Sequence, residues 1–244
     1  MASPVEQFKI KPLIPLEVGG VDVSFTNSAL MMVISAGLII AFLTLSVRGR
    51  ALVPGRWQSM AEVCYEYVAG MLRENVGPEG RRYFPFIFTL FMFVLFGNLL
   101  GMIPYSFTYT SHVIVTFGLA AVVFIGVTII GFIHHGIGYL RLFMPHGAPA
   151  VAAVVLVPIE LVSYLSRPFS LAVRLFTNMT VGHILLKVMA GFVVSLGSIF
   201  FLFGAVPLAF DAAVMVLELG IAVLQAYVFT VLSCIYLHDA IHMH

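Results

Sequence analysis

Apolar residues gather along this chain into five long runs, and one segment between the first two runs breaks the rhythm. The runs extend from about Asn27 to Val47, Tyr83 to Pro104, Val113 to Ile133, Ala150 to Val194 and Ala205 to His238. Each is long enough to cross a hydrocarbon core of about 30 Å as a helix. The segment at 57–76 has a different pattern. Met60, Val63, Tyr67, Met71 and Leu72 recur at helical spacing, while Glu62, Glu66, Arg73 and Glu74 take much of the remaining surface. That pattern predicts an amphipathic helix lying on the membrane surface rather than crossing it.

The predicted fold is therefore an all-α polytopic membrane protein. It has one upright span, a surface helix, a transmembrane hairpin, and a second hairpin of two long helices. At 1.5 Å per residue the run at 150–194 would be about 65 Å long, twice the hydrocarbon thickness, so it must tilt steeply or bend. Pro158 and Pro168 can kink it without ending it where neighbours satisfy the freed backbone groups. No repeat or linker divides the chain, and a single membrane domain is expected over 1–244.

Composition agrees with this pattern. Hydrophobic residues make up 61% of the chain, charged residues 9%, and mean hydropathy is +1.08, which excludes an ordinary soluble domain. A net charge of +1 without a basic stripe carries no nucleic-acid signal. Cys64 and Cys234 have neither pairing nor metal spacing and read as packing residues. The N-terminal stretch lacks a basic-then-apolar leader and is expected to be retained. Arg48, Arg50, Arg56, Arg73, Arg81 and Arg82 lie between the first two spans, and Arg141 follows the third. If the surface helix does not cross, both segments share one side, which the positive-inside rule makes cytoplasmic, with the N-terminus outside. Lys9 and Lys11 in the N-terminal tail argue weakly the other way.

The two long runs also carry ionisable groups, which are expensive in a membrane: an arginine at mid-span costs roughly 2.5–3.5 kcal/mol. Arg167, Ser170, Arg174 and Asn178 are three, four and four positions apart and form one helical stripe. His183 lies about half a turn round from Arg174 and roughly 13 Å further along, and Glu160 and Lys187 bracket the set. On the last run Asp211, Glu218 and Gln225 recur at intervals of seven, with Tyr236 within about 20° of Gln225. Two such stripes facing one another suit a proton route. Histidine exchanges protons near neutral pH, and a carboxylate does so once desolvated. A guanidinium does not exchange protons usefully. Arg174 suits a different role. It can attract an ionised carboxylate, one that another subunit could supply, and repel protons that would short-circuit the route.

Taken singly, these residues have plainer readings. Arg174 could be a structural charge paired with Glu218 or Asp211. Asn178 and Gln225 could be interhelical hydrogen-bond glue, and His183 a satisfied core histidine. Arg167, His238 and Asp239 read as interfacial. It is the joint pattern that points to a proton path.

The stretches "IELVSYLSRPFSLAVRLFTNMTVGH" and "LELGIAVLQAYVFTVLSCIYLHD" resemble subunit a of F-type ATP synthases, and the likeness runs through the whole chain in order. The resemblance implies a stator subunit beside a ring of c subunits, held by a b-type peripheral stalk, with two offset proton half-channels. It implies that Arg174 separates the half-channels and that His183 and Glu218 line the one from the outer side. Asn178 and Gln225 would sit near the arginine. Glu160, Ser170 and Tyr236 are candidates for the cytoplasmic-side route. Some bacterial relatives carry an acid where this chain has His183 and a histidine where it has Glu218, an exchange suggesting that the two side chains act together. Thr177 stands where relatives often have Gly or Ala.

Three other functions would leave different marks. A secondary transporter with an Arg/Glu substrate site would show inverted repeats and paired broken helices, and neither is visible. A haem carrier would need axial histidines at matching depth, whereas His134, His135 and His146 cluster in a loop and His238, His242 and His244 at the tail. A stand-alone enzyme would need a nucleophile with its base, a metal spacing or a phosphate loop. No cofactor is expected. The expected location is the bacterial plasma membrane, with the mitochondrial inner membrane as the alternative.

Overall fold

The computed structural model describes residues 9–15, 17–18, 21–22, 24–48, 54–103, 106–143, 150–197 and 201–242, with side chains described except at 18, 21–22, 141–143, 150–153 and 201–203. Arg50, Pro104, His146 and His244 lie outside the described residues, as does the Arg141 side chain. The described chain is predominantly helical, and five of its helices are long and apolar enough to cross a membrane.

Ahead of the helices, β1 (Pro12–Ile14) pairs antiparallel with β4 (Phe25–Thr26), and β2 (Glu17–Val18) with β3 (Val21–Asp22). Strands this short show no alternation in the sequence, which is why hydropathy did not announce them. Helix α1 (Asn27–Arg48) is capped by Thr26, whose Oγ1 accepts the Ala29 amide at 3.3 Å.

Helix α2 (Arg56–Asn75) buries Val68, Met71 and Leu72 against the bundle. Trp57, Met60, Val63 and Tyr65 stay exposed on it, so α2 has apolar residues turned to the protein and others turned away. Its end is marked by Gly77 at φ +88, a conformation that glycine adopts without a Cβ clash, with the Gly77 amide bonded to the Arg73 carbonyl at 3.2 Å. A 3-10 turn, Pro78–Tyr83, then leads into α3 (Phe84–Gly101).

The connector after α3 folds back onto it. A Cβ at Gly97 would overlap Tyr109, whose hydroxyl lies 3.1 Å from both Ser35 Oγ and the Phe93 carbonyl, linking α1, α3 and the connector. Burial pushes the Tyr109 phenol up to about 12. Helix α4 (Val113–His135) follows, ended by Gly136 at φ +56.

Helix α5 (Ala150–Gly197) starts where its apolar run starts and continues three residues past it, and α6 (Phe201–Ile241) runs on past its own run at both ends. α5 is about 72 Å long and passes unbroken through Pro158 and Pro168. Gly197 and Gly204 let the two backbones close at the hairpin end: a Cβ on Gly204 would lie 2.9 Å from the Gly197 Cα. The core lies where α3, α4, α5 and α6 meet, around Met92, Val123, Leu175, Ala226, Phe229 and Leu237. Small residues on α6 such as Ala222, Ala226 and Cys234 permit close helix approach, which holds helices together where both lipid and protein are apolar. Only 6% of the most apolar stretch of α5 is buried within the chain, against 44% for that of α3, so α5 presents most of its apolar surface outward.

Candidate functional site

Arg174 sits at the middle of α5 and is exposed, on a surface that also exposes Phe169, Ser170, Val173, Thr177 and Val181. Among the described residues it makes no ion pair and no side-chain hydrogen bond, so a structural pairing with Glu218 or Asp211 is not formed. Asn178, one turn on, is half-buried. The stripe read from the sequence thus sits on α5 with its central charge turned out of the subunit.

Glu218 is in the opposite situation. It is only 4% exposed on α6, and neither carboxylate oxygen has a hydrogen-bond partner. Its carboxylate lies against Gly182 of α5, where any Cβ would overlap it. Gly182 directly precedes His183, so the acid and the imidazole come from adjoining places on facing helices. Asp211, two turns earlier on α6, is half-buried, and one of its oxygens also lacks a partner.

His183 is half-buried, with Nε2 3.1 Å from Thr108 Oγ1. Thr108 lies in the α3–α4 connector, is buried, and is 3.2 Å from the Gly101 carbonyl. The connector is held in turn by Ser111 Oγ donating to the Thr108 carbonyl at 2.6 Å and Thr180 Oγ1 donating to the Ser111 carbonyl at 3.3 Å. A third helix also contributes. Asn98 of α3 is fully buried and its Nδ2 donates to the Ala222 carbonyl at 3.1 Å, between Glu218 and Gln225 along α6, while its Oδ1 has no partner. Gln225 is itself buried.

A second polar cluster lies toward the open end of the hairpin, by the C-terminus of α6. Arg167 Nη1 is 2.9 Å from Asp239 Oδ2, and its guanidinium lies over the rings of Tyr164 (5.6 Å) and Tyr236 (5.3 Å). The Tyr164 hydroxyl is 2.7 Å from Thr128 Oγ1 and 3.0 Å from the Tyr139 hydroxyl, so α4, α5 and α6 all join. Tyr236 is half-buried, with the Arg167 guanidinium over its ring. Arg167 and Asp239, read from the sequence as interfacial, are paired with one another.

The structure thus brings Glu218 against Gly182, the residue before His183, and Tyr236 beside Arg167. Glu160 is half-buried near the start of α5, Ser170 is exposed, and neither is hydrogen-bonded by its side chain to another site residue among the described residues. Sequence reasoning missed Asn98, Thr108 and Gly182. Only Asn98 left a signal, as a lone amide in the apolar run "FMFVLFGNLLGMI". The arrangement offers a buried acid with open lone pairs, a hydrogen-bonded imidazole and buried amides on α3 and α6, with an outward-turned guanidinium elsewhere on α5.

Comparison with known proteins adds to this geometry. A family profile described as ATP synthase A chain matches residues 29–238. The ATP synthase subunit a of Paramagnetospirillum magneticum strain AMB-1 is 74% identical over 247 residues, covering 100% of both chains. That of Rhodospirillum rubrum is 63% identical over 244 residues, again covering 100% of both. That of Mesorhizobium japonicum is 55% identical, covering 98% of this chain and 96% of its own.

Proposed function

The chain belongs to the ATP synthase A chain family, and on that premise we propose which of its residues carry the proton and which partners complete the path. It is the stator, proton-channel subunit of a rotary ATP synthase and a part of that membrane complex. Our reading assigns Arg174 to the divide between two half-channels that open on opposite sides of the membrane. His183 and Glu218 relay protons in the half-channel from the outer side, Asn178 and Gln225 hold water or the guanidinium in place, and Glu160, Ser170 and Tyr236 flank the cytoplasmic-side route.

The observation that carries this reading is Arg174 itself: an exposed cation at the middle of a long apolar helix, without an acid partner among the described residues. A cation in hydrocarbon is too costly to leave uncompensated. The missing anion fits a carboxylate on a ring of c subunits that turns past α5, and a b-type stalk would hold the stator still. Near Arg174 such a carboxylate is favoured as the anion and releases its proton. Carried into apolar surroundings it takes one up. A potential of 100 mV contributes about 2.3 kcal/mol per proton, so several protons must pass for each ATP. The bacterial relatives and the arginine-rich segment between the first two spans support a bacterial plasma membrane, with the N-terminus outside and the C-terminus cytoplasmic.

The test is proton movement in inverted vesicles carrying the assembled complex. Arg174→Ala, and also Arg174→Lys because lysine lacks the planar, delocalised guanidinium, should abolish ATP-driven acidification with assembly intact, and Arg174→Ala should open a passive leak under an imposed potential. Unchanged, tightly coupled pumping in either variant would reduce Arg174 to a structural charge.

A further inference from the structure

Away from the α5–α6 hairpin, the chain builds a pocket at the junction of α2, the 3-10 turn and α3. It is lined by Tyr65, Ala69, Leu72, Arg73, Gly77, Pro78, Arg81 and Phe84 and encloses about 500 Å³. That volume falls within the roughly 300–1,000 Å³ usual for small-molecule sites. Two guanidiniums border it, and among the described residues neither Arg73 nor Arg81 makes an ion pair or a side-chain hydrogen bond. Both are exposed. The floor is apolar, formed by Ala69 and Leu72, and one wall is aromatic, with Tyr65 and Phe84 rings 4.6 Å apart.

Tyr65 also lines a second cavity. This one, of about 340 Å³, lies between α1, α2 and α3 and is bordered by Leu43, Val47, Ala61 and Phe88. Its acid, Glu62, is exposed and accepts a hydrogen bond from Gln58 Nε2 at 2.8 Å. Glu79, in the same 3-10 turn as Arg81, faces His242 at 3.8 Å. A cationic pocket and an apolar groove therefore meet at one tyrosine, on a helix whose exposed Trp57, Met60 and Val63 suit the membrane interface.

We propose that this pair of cavities is a binding site for an anionic phospholipid, its phosphate held between Arg73 and Arg81 and one acyl chain lying in the groove past Tyr65. Charge selects the occupant. A zwitterionic lipid brings no net charge to two unpaired guanidiniums, and a free phosphate leaves the groove unfilled. Guanidinium forks match phosphate oxygens bidentately, and a ring such as Tyr65 sits well at headgroup depth. The proposal does not depend on the roles given to Arg174, His183 or Glu218.

The chain carries its own reporter, since Trp57 is its one tryptophan and packs against Phe42 with ring centroids 6.4 Å apart, near the groove's end. The full chain is reconstituted in phosphatidylcholine vesicles containing a minor fraction of either phosphatidylglycerol or phosphatidylcholine with brominated acyl chains, and Trp57 quenching is compared. Brominated phosphatidylglycerol should quench as though enriched about tenfold at Trp57. Arg73→Gln with Arg81→Gln should remove that preference. Arg73→Lys with Arg81→Lys should keep part of it, which shows that a double substitution here leaves the fold intact. Arg82→Gln, one residue outside the pocket lining, should change little, and millimolar inorganic phosphate should not compete. In the assembled complex, the double glutamine variant should retain one anionic phospholipid fewer after detergent exchange, counted by native mass spectrometry. Equal quenching by the two lipids in the parent chain overturns the proposal. So does an equal loss in Arg82→Gln, which means a diffuse basic surface, or displacement by phosphate, which means a soluble-anion site. An unchanged lipid count in the complex overturns it as well, and leaves the pocket to a partner helix.

Discussion

The open end of the α5–α6 hairpin and its middle hold similar side chains in opposite circumstances. Toward the open end Arg167 meets Asp239 at 2.9 Å and lies over two tyrosines, one of which, Tyr164, reaches Thr128 and Tyr139. Midway along α6 Glu218 is buried with both oxygens unpartnered, beside a glycine that leaves it just enough room. Desolvating an ion costs several kcal/mol unless a partner repays it, and even a neutral buried polar group left unpaired costs about 1–3 kcal/mol. The open end is arranged to hold helices together. The middle keeps an acid whose lone pairs stay open for a proton or a water, and a fold tolerates that cost where the group does chemistry.

The sharpest challenge to this contrast exchanges each carboxylate for its amide. Glu218→Gln should lower ATP-driven pumping by more than about 100-fold, the scale of a lost acid–base group, while the thermal stability of the complex holds or rises. Asp239→Asn should do the reverse. Its half-exposed pair is worth only about 0.5–1 kcal/mol, so stability should fall by that much and pumping only a few-fold. If Glu218→Gln destabilised the complex more than Asp239→Asn, the assignment of the two regions would fail.

Next in size is Gly182→Ala. Its new methyl would overlap the Glu218 carboxylate, at an overpacking cost of about 1–3 kcal/mol, with pumping reduced about tenfold. Gly191→Ala is the control, because nothing lies within 4 Å of a Cβ there. Equal effects of the two substitutions, in pumping assays and thermal melts, would remove Gly182 from the site.

A smaller effect is expected from Thr108→Val. It removes the hydroxyl beside His183 at a cost of about 0.5–1.5 kcal/mol, which should slow pumping several-fold and displace its pH profile, with Thr108→Ser restoring both. A displaced profile in the serine variant as well would show that the hydroxyl is not what matters.

The least effect concerns His112, at the start of α4 in the same connector. Burial holds its imidazole below the ordinary 6.5, its Nε2 has no partner, and its ring stacks on Phe107 at 5.0 Å. Because the folded chain disfavours the charged form, its contribution to stability is complete above 6.5 and is lost as pH falls through the lowered value. The protection factors of residues 106–112 in the purified complex, taken after dividing out the hydroxide-dependent intrinsic exchange rate, should therefore fall on acidification, and His112→Gln should flatten that fall. Protection factors that ignore pH would assign the connector's order to Tyr109 and Ser111 alone.

Much of the fold could be read directly because membrane helices declare themselves by length: the runs ending at Val47, Ile133 and Val194 lie within α1, α4 and α5. The short strands β1 to β4 could not, since two or three residues carry no period. In the site, the spacing of Asp211, Glu218 and Gln225 places them on one face of α6, and the structure buries the latter two. Thr108 and Gly182 gave no warning. A threonine in a loop is ordinary, and a glycine's importance here is only the space that it leaves.

By itself, the sequence determined the helices, the stripes of polar residues along them and the family, because those depend on residues near one another in the chain. Tertiary structure decided which charges are paired. Arg167 meets Asp239 across 72 residues, His183 meets Thr108 across 75, and Asn98 reaches Ala222 across 124. A helical period says which way a side chain points along its own axis. Whether a guanidinium finds an acid, or an acid finds nothing, depends on which helix packs opposite and at what height, and that is settled only when the bundle closes.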